Sequence, residues 1–251
     1  MIRSWEVTIP QLSPALGRRA YLYLPEMYED EPDARFPVLY MFDGQNLFFD
    51  EDASFGKSWG LYDYLVENAP PLIVAAVSCN TVGDGRLIEY SPFAHRTDRL
   101  GAISARGRTT MNWLTRCFKP QIDAIARTLP DREHTLIAGS SMGGLMSLYA
   151  ALDYNDVFQR AACLSPSLWV SPHKVRRMID AADPAPDTCI YLDYGSREMG
   201  NHGRNEEALH SACEGLLRKG VDLTFRIVPG GTHSEASWQE RLPVMFKCLG
   251  F

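Results

Sequence analysis

Two kinds of apolar pattern share this chain. Short continuous apolar runs occupy residues 36–42, 71–77, 134–139, 158–166, 188–195 and 221–231, with Gly, Pro, Asp or Asn near most of their ends. Runs of that length and punctuation read as strands buried on both faces. Between them lie stretches expected to be helical: residues 58–68, opened by Ser58 as a cap, then 142–153, 173–182, 204–219 and 234–249. The clearest periodicity is Met111, Leu114, Phe118, Ile122, Ile125 and Leu129, one helix face that Pro120 should kink or break. Residues 5–9 and 19–24 read as two strands with no helix between them, so they predict an antiparallel edge. Segment 78–108 is rich in Gly, Arg, Asp and Ser. A loop of that length is expected to be functional or partly structured.

Alternation of buried strands with helices implies an α/β fold, with a mostly parallel central sheet covered by helices on both faces. With the antiparallel N-terminal edge, this is the α/β-hydrolase type. No repeat or Pro/Ser linker divides the 251 residues, so residues 1–251 are read as one domain. Composition adds exclusions. At 45% hydrophobic and 22% charged the chain is ordinary for a globular protein. A net charge of −6 argues against an electrostatic nucleic-acid binder. No signal-peptide core is visible and no apolar run reaches the ~18 residues of a membrane helix, so neither membrane nor nucleic acid is expected as a partner. Cys79, Cys117, Cys163, Cys189, Cys213 and Cys248 are scattered without a C-x-x-C pair. They read as buried free thiols in a reducing, cytoplasmic setting, not as a zinc site or disulfide framework.

Candidate chemistry centres on "LIAGSSMGGLMSLYA", residues 136–150. An apolar strand runs into Gly139-x-Ser141-x-Gly143 and then into helix formers, which is the nucleophile elbow. Glycines there let strand and helix approach, and the serine hydroxyl stands at the apex. The bland alternative is a small residue in a tight turn. Acyl transfer also needs a base, an acid to orient it and donors for the oxyanion. The order Ser, acid, His is available: Glu198 follows a strand in "YGSREMG", and His233 follows the last strand in "PGGTHSEASW". Both occupy loops at carboxyl ends of strands, where open α/β sheets bind ligands. His202, in the Glu198 loop, is the nearest rival base. His95, His134, His173 and His210 lack that context. Asp193 competes as the acid, but it falls inside the strand pattern and is expected to be paired structurally. Backbone N–H groups of Met142 and Gln45 are the candidate oxyanion donors. Trp59, Arg86, Tyr90, Phe93, Trp169 and Trp238 are candidate pocket residues, with core packing as the alternative for the aromatics and plain solvation for Arg86.

The stretches "YMFDGQNLFF", "GRLIEYSPF", "TLIAGSSMGGLMSLY", "YGSRE" and "GGTHSEASW" resemble the putative esterase family of esterase D, feruloyl and acetyl xylan esterases and enterochelin esterase-like hydrolases. The resemblance runs from about residue 19 to the C-terminus. It implies a serine esterase with no cofactor and no metal, acting on a small-molecule ester, with Ser141 as nucleophile, His233 as base and Glu198 as acid. It leaves the ester open among acyl sugars, feruloyl esters and similar compounds. Acyl transfer to an alcohol, siderophore-lactone hydrolysis and a non-catalytic binding role on the same fold are the competing readings. Oligomeric state is not indicated.

Overall fold

The computed structural model describes residues 1–97, 101–198 and 202–251. Eight strands build the main sheet: β1 (Ile2–Ile9), β2 (Ser13–Tyr23), β3 (Val38–Met41), β4 (Ile73–Val77), β5 (Thr135–Ser140), β6 (Arg160–Leu164), β7 (Cys189–Gly195) and β8 (Asp222–Val228). Their spatial order is β1-β2-β4-β3-β5-β6-β7-β8. All contacts from β4 to β8 are parallel. The β1–β2 and β2–β4 pairs are antiparallel, as the missing helix between the first two strands predicts.

Helices follow the parallel strands: α1 (Leu61–Asn68), α2 (Gly85–Glu89), α3 (Gly107–Trp113), α4 (Lys119–Ile125), α5 (Met142–Asp153), α6 (Pro172–Ala181), α7 (His202–Arg218), α8 (Glu235–Gln239) and α9 (Leu242–Leu249). Side chains alternate across the strands, so each central strand feeds two cores. Val38, Tyr40, Ile73 and Ala75 pack on one face with α3, α4, α5, α6 and α7. Leu39, Met41, Val74 and Ala76 pack on the other with α1 and α9. Among the described residues, no helix is long and apolar enough to cross a membrane.

Several local expectations change. Ser58 does not cap α1. Gly60, at φ 58°, holds the cap position, while the Ser58 hydroxyl donates to Asp50 at 2.7 Å and accepts from the Gly60 N–H at 3.2 Å. A left-handed backbone favours glycine there, which sequence periodicity does not register. Pro120 does not break the long apolar face. A π-turn over Leu114–Phe118 joins α3 to α4 with helical backbone on both sides, and Pro120 follows it directly, where the shifted bonding register absorbs the missing N–H. Leu129 lies beyond that helix. Residues 234–249 form two helices, with Pro243 in the first turn of α9. Segment 78–108 contains α2 and a small hairpin pairing His95–Thr97 with Gly101–Ile103. Only Cys79 and Cys163 are buried; Cys117 is exposed and the other three are partly exposed. Cys117 falls on an outward position of its helix, whereas Cys248 packs against the edge of a core.

Candidate active site

The turn from β5 to α5 is built by close approach. A Cβ on Gly139 would lie 2.8 Å from the Gly143 carbonyl carbon, and one on Gly144 would lie 2.8 Å from Leu164 O. Between them Ser141 adopts φ 57°, ψ −121°, a conformation that costs a non-glycine residue about 1–3 kcal/mol. The turn is held on both sides: Ser141 N–H donates to Leu164 O at 3.0 Å, and its carbonyl accepts from Leu145 and Ser167 N–H, each at 3.0 Å. Ser141 is partly exposed, whereas Ser140, the last residue of β5, is buried.

Ser141 opens into a cleft of about 710 Å³ that also exposes Gln45, Arg86, His233, Glu235 and Trp238. In this conformation the Ser141 hydroxyl lies 3.3 Å from the Ser167 hydroxyl, and no hydrogen bond joins it to His233. His233 presents its ring to the cleft, with the side chain 31% exposed, and its Nδ1 is 2.9 Å from Glu198 Oε2. Glu198 itself is buried. Burial alone would push its carboxyl up. Hydrogen bonds from His233, the Ser165 hydroxyl and the Gly195 N–H outweigh that and hold it below the usual carboxylate range. An ionised Glu198 can only accept, so Nδ1 of His233 carries a proton, and in the neutral imidazole this leaves Nε2 as the acceptor.

Beneath this pair lies a second charged layer. Arg241 and Asp193 are fully buried and 2.9 Å apart. Arg241 also donates to Ser165 Oγ at 2.8 Å and to the Thr232 carbonyl at 2.8 Å. Asp193 further accepts from Tyr191 OH at 2.8 Å and the Ser165 N–H at 3.1 Å. It therefore lies inside the structure and not beside His233. Burial raises its carboxyl pKa, partly offset by Arg241. Trp238 joins both layers: its indole N–H donates to Ser165 Oγ at 3.0 Å, and its ring meets His233 edge-on at 5.1 Å.

On the opposite wall, the turn after β3 carries Gln45. It is a single 3₁₀ turn over Gly44–Asn46, entered through Asp43 in a left-handed conformation. As second residue of that turn, Gln45 has no N–H partner within it; Met142, first residue of α5, likewise has none within its helix. The Gln45 side chain turns into the wall instead.

A family model described as "Putative esterase" matches residues 13–249, nearly the whole chain. The chain belongs to this esterase family. Ester hydrolysis is therefore its reaction class. A curated relative, uncharacterized protein YbbA of Bacillus subtilis (strain 168), is 26% identical over 196 residues, covering 77% of this esterase and 72% of its own length. A solved ferulic acid esterase is 18% identical at TM-score 0.70, covering 99% of this chain and 96% of its own. An IroE-like serine hydrolase from Shewanella oneidensis is 17% identical at TM-score 0.76, covering 99% and 79%. Both solved structures share the esterase's α/β fold.

The remaining pocket candidates divide. Trp238 and Arg86 line the cleft. Trp59 is buried behind Trp238, ring centroids 5.8 Å apart. Tyr90 is buried and faces a small inner cavity, its hydroxyl accepting from the Asp43 N–H at 3.2 Å. Phe93 packs against the core as a partly buried residue. Trp169 lies outside the cleft, in a separate groove with His95, Arg96, His173 and Lys174. Those two histidines thus stand away from Ser141. His134 pairs with Asp131 ahead of β5, and the side chain of His202 lies outside the described residues. Sequence reasoning missed Ser167, Phe55, Glu235 and Arg241. Glu235 sits two residues past His233 with a carboxyl that burial and the nearby Asp43 charge push up. Its place in "THSEASW" was the one available signal.

Proposed function

We propose that this esterase is a serine carboxylesterase working through Ser141, His233 and Glu198. One observation carries the reading: a serine in a strained strand-to-helix turn shares a cleft with a histidine whose Nδ1 is 2.9 Å from a buried carboxylate. Ser141 Oγ swings off Ser167 and attacks the ester carbonyl carbon while Nε2 of His233 takes its proton. Glu198 fixes the imidazole tautomer and stabilises the imidazolium. The N–H groups of Gln45 and Met142 donate to the oxyanion. Collapse expels the alcohol, which takes the proton from His233. Water then repeats the sequence and releases the acid.

The substrate is a small or medium ester whose acyl or alcohol part lies against Trp238 and Phe55 at the cleft wall. The name of the ferulic acid esterase neighbour supports an aromatic acyl group. Six free thiols support a reducing, cytoplasmic setting. The test is labelling with a fluorophosphonate and locating the adduct by mass spectrometry, alongside turnover of 4-nitrophenyl acetate. The adduct is expected on Ser141. An adduct on Ser140 or Ser167, or none at all, would overturn the reading.

A further inference from the structure

Resting on that reading, we infer that the side chains of Asp43, Arg86 and Gln45 form a two-point anchor that sets the position of the oxyanion donors. They are positioning residues, acting through the backbone N–H groups and not by touching substrate.

The loop that carries Gln45 is tied on its far side, where Asn46 O accepts from the Trp59 N–H at 2.9 Å and Asn46 Oδ1 from the Ser54 N–H at 2.9 Å; its near side is held by side chains. It begins at Asp43, a non-glycine residue at φ 58°, ψ 49°. Aspartate tolerates that region better than most residues, yet the conformation persists only where the surroundings over-determine it. Here they do. Arg86 of α2 grips the Asp43 carboxylate as a fork, Nε to Oδ1 at 2.7 Å and the terminal NH2 to Oδ2 at 2.7 Å. Tyr90, one turn on, accepts the Asp43 N–H, and its ring lies 5.3 Å from the Arg86 guanidinium.

The second anchor is independent of charge. Gln45 and Cys79 exchange two hydrogen bonds: the Cys79 N–H donates to Gln45 Oε1 at 3.1 Å, and Gln45 Nε2 donates to Cys79 Sγ at 3.2 Å. Nε2 also reaches Ser54 Oγ at 3.2 Å. Gly44, between the anchors, leaves no slack, because a Cβ there would lie 2.9 Å from the Val77 carbonyl carbon. The carboxylate that Arg86 grips also lies close to the other half of the hole, where only a glycine fits. A Cβ on Gly143 would lie 3.3 Å from Asp43 Oδ2 and 3.0 Å from Phe42 Cβ. The absence of a side chain at Gly143 thus lets the Asp43 end of the Gln45 loop pack close to the first turn of α5, where the Met142 N–H sits.

An oxyanion donor acts only when aimed at the position the charge will occupy, and displacement by a fraction of an ångström weakens it. Loosening either anchor should therefore reduce transition-state binding and spare ground-state binding. The experiment compares wild type with Arg86→Gln, Arg86→Lys and Gln45→Leu, each checked by thermal melting. It measures kcat and KM for 4-nitrophenyl acetate and the inhibition constant of an aryl trifluoromethyl ketone, whose serine adduct carries a tetrahedral oxyanion. Arg86→Gln and Gln45→Leu should lower kcat by about 10- to 100-fold with KM changed less than about threefold, and should weaken the ketone by a matching factor. Arg86→Lys should recover only part of the loss, since an ammonium cannot fork.

A rise in KM at wild-type kcat would make Arg86 a substrate contact and overturn the inference. So would lowered kcat with unchanged ketone affinity, or variants indistinguishable from wild type. Should Arg86→Gln not fold, Gln45→Leu decides alone, because it leaves the ion pair intact. Wild-type protein without turnover and without an adduct on Ser141 would remove the esterase mechanism itself. An active wild type with unaffected variants would remove only the anchor.

Discussion

Two arginine–aspartate pairs support the cleft, one beneath each wall, and they differ in depth. Arg241 and Asp193, under the His233 wall, have side chains 1% and 0% exposed. Arg86 and Asp43, under the Gln45 wall, are 28% and 7% exposed. The deep pair is part of a closed network: Asp193 also accepts from Tyr191 OH and the Ser165 N–H, and Arg241 reaches Ser165, Ser237 and Thr232. Removing one member there strands a buried charge, which typically costs about 3–5 kcal/mol. Of the shallow pair, Arg86 lines the cleft, so its loss should register in the transition state as well as in stability. Depth is thus expected to separate a residue that holds the protein together from one that aims its chemistry.

The largest effect expected from the deep wall is on turnover and needs no loss of fold. Glu198 touches both the network and His233. Glu198→Gln keeps the shape and removes the charge opposite the imidazole, so kcat should fall by roughly 10²–10⁴-fold, while the melting temperature falls only modestly. Near wild-type kcat would mean a Ser141–His233 dyad or another acid. The deep pair should behave in the opposite way. Arg241→Met leaves Asp193 and Glu198 facing each other without their shared cation. It should destabilise the protein by about 3–5 kcal/mol, read as a shift of the urea midpoint. Asp193→Asn should mainly lower the melting temperature. If Arg241→Met cost under about 1 kcal/mol, the contrast in depth would carry no energetic meaning.

What the sequence displayed of this site was whatever is local. The elbow is readable because its strand, its glycines and its helix are contiguous. The division between Asp193 and Glu198 is readable because strand alternation ends at Gly195, putting one carboxyl inside and the other on the loop. Long-range partners were not readable. Arg241 meets Asp193 across 48 residues and Glu198 across 43, and in the sequence it is one more basic residue within the single helical stretch 234–249. The split of residues 234–249 hid it further, since one continuous helix would have put Arg241 mid-helix instead of in the turn between α8 and α9. Ser167, the resting partner of Ser141, follows Pro166 in a loop with no period to read. The Gln45–Cys79 exchange joins two loops whose pattern marks only strand ends.

A smaller effect separates the two carboxylates by pH. The Glu198 carboxyl is held below its ordinary value near 4.5. Its contribution to stability is therefore fully present above that ordinary value and is lost as pH falls through the lower folded-state value. Asp193 is raised by burial, so its ionisation opposes folding and protonation relieves the cost as pH falls. Urea midpoints from pH 7 to pH 3 should show the gap between wild type and Glu198→Gln constant at first and closing only at the acid end. A gap that already closes between pH 7 and 5 would contradict the hydrogen-bonded, ionised Glu198 described above.

The smallest expected effect is no effect, and it tests where the cleft ends. Trp169 and Trp238 both follow strand ends and looked alike as pocket aromatics. Trp238 is buried, lines the cleft and donates to Ser165. Trp169 is 44% exposed in the groove with Arg96 and Lys174. Trp238→Phe keeps the ring face against His233 but removes the indole N–H, leaving Ser165 with one donor fewer; kcat should fall several-fold. Trp169→Ala removes a large ring from a surface it only partly covers, so kcat/KM for 4-nitrophenyl acetate should stay within about twofold. Short esters report only on the ground around Ser141, so the same variant should also be assayed with a longer feruloyl ester. Unchanged kcat/KM for both would confine substrate to the Ser141 cleft. A tenfold loss confined to the longer ester would extend the binding surface across the mouth of the cleft to the α6 groove.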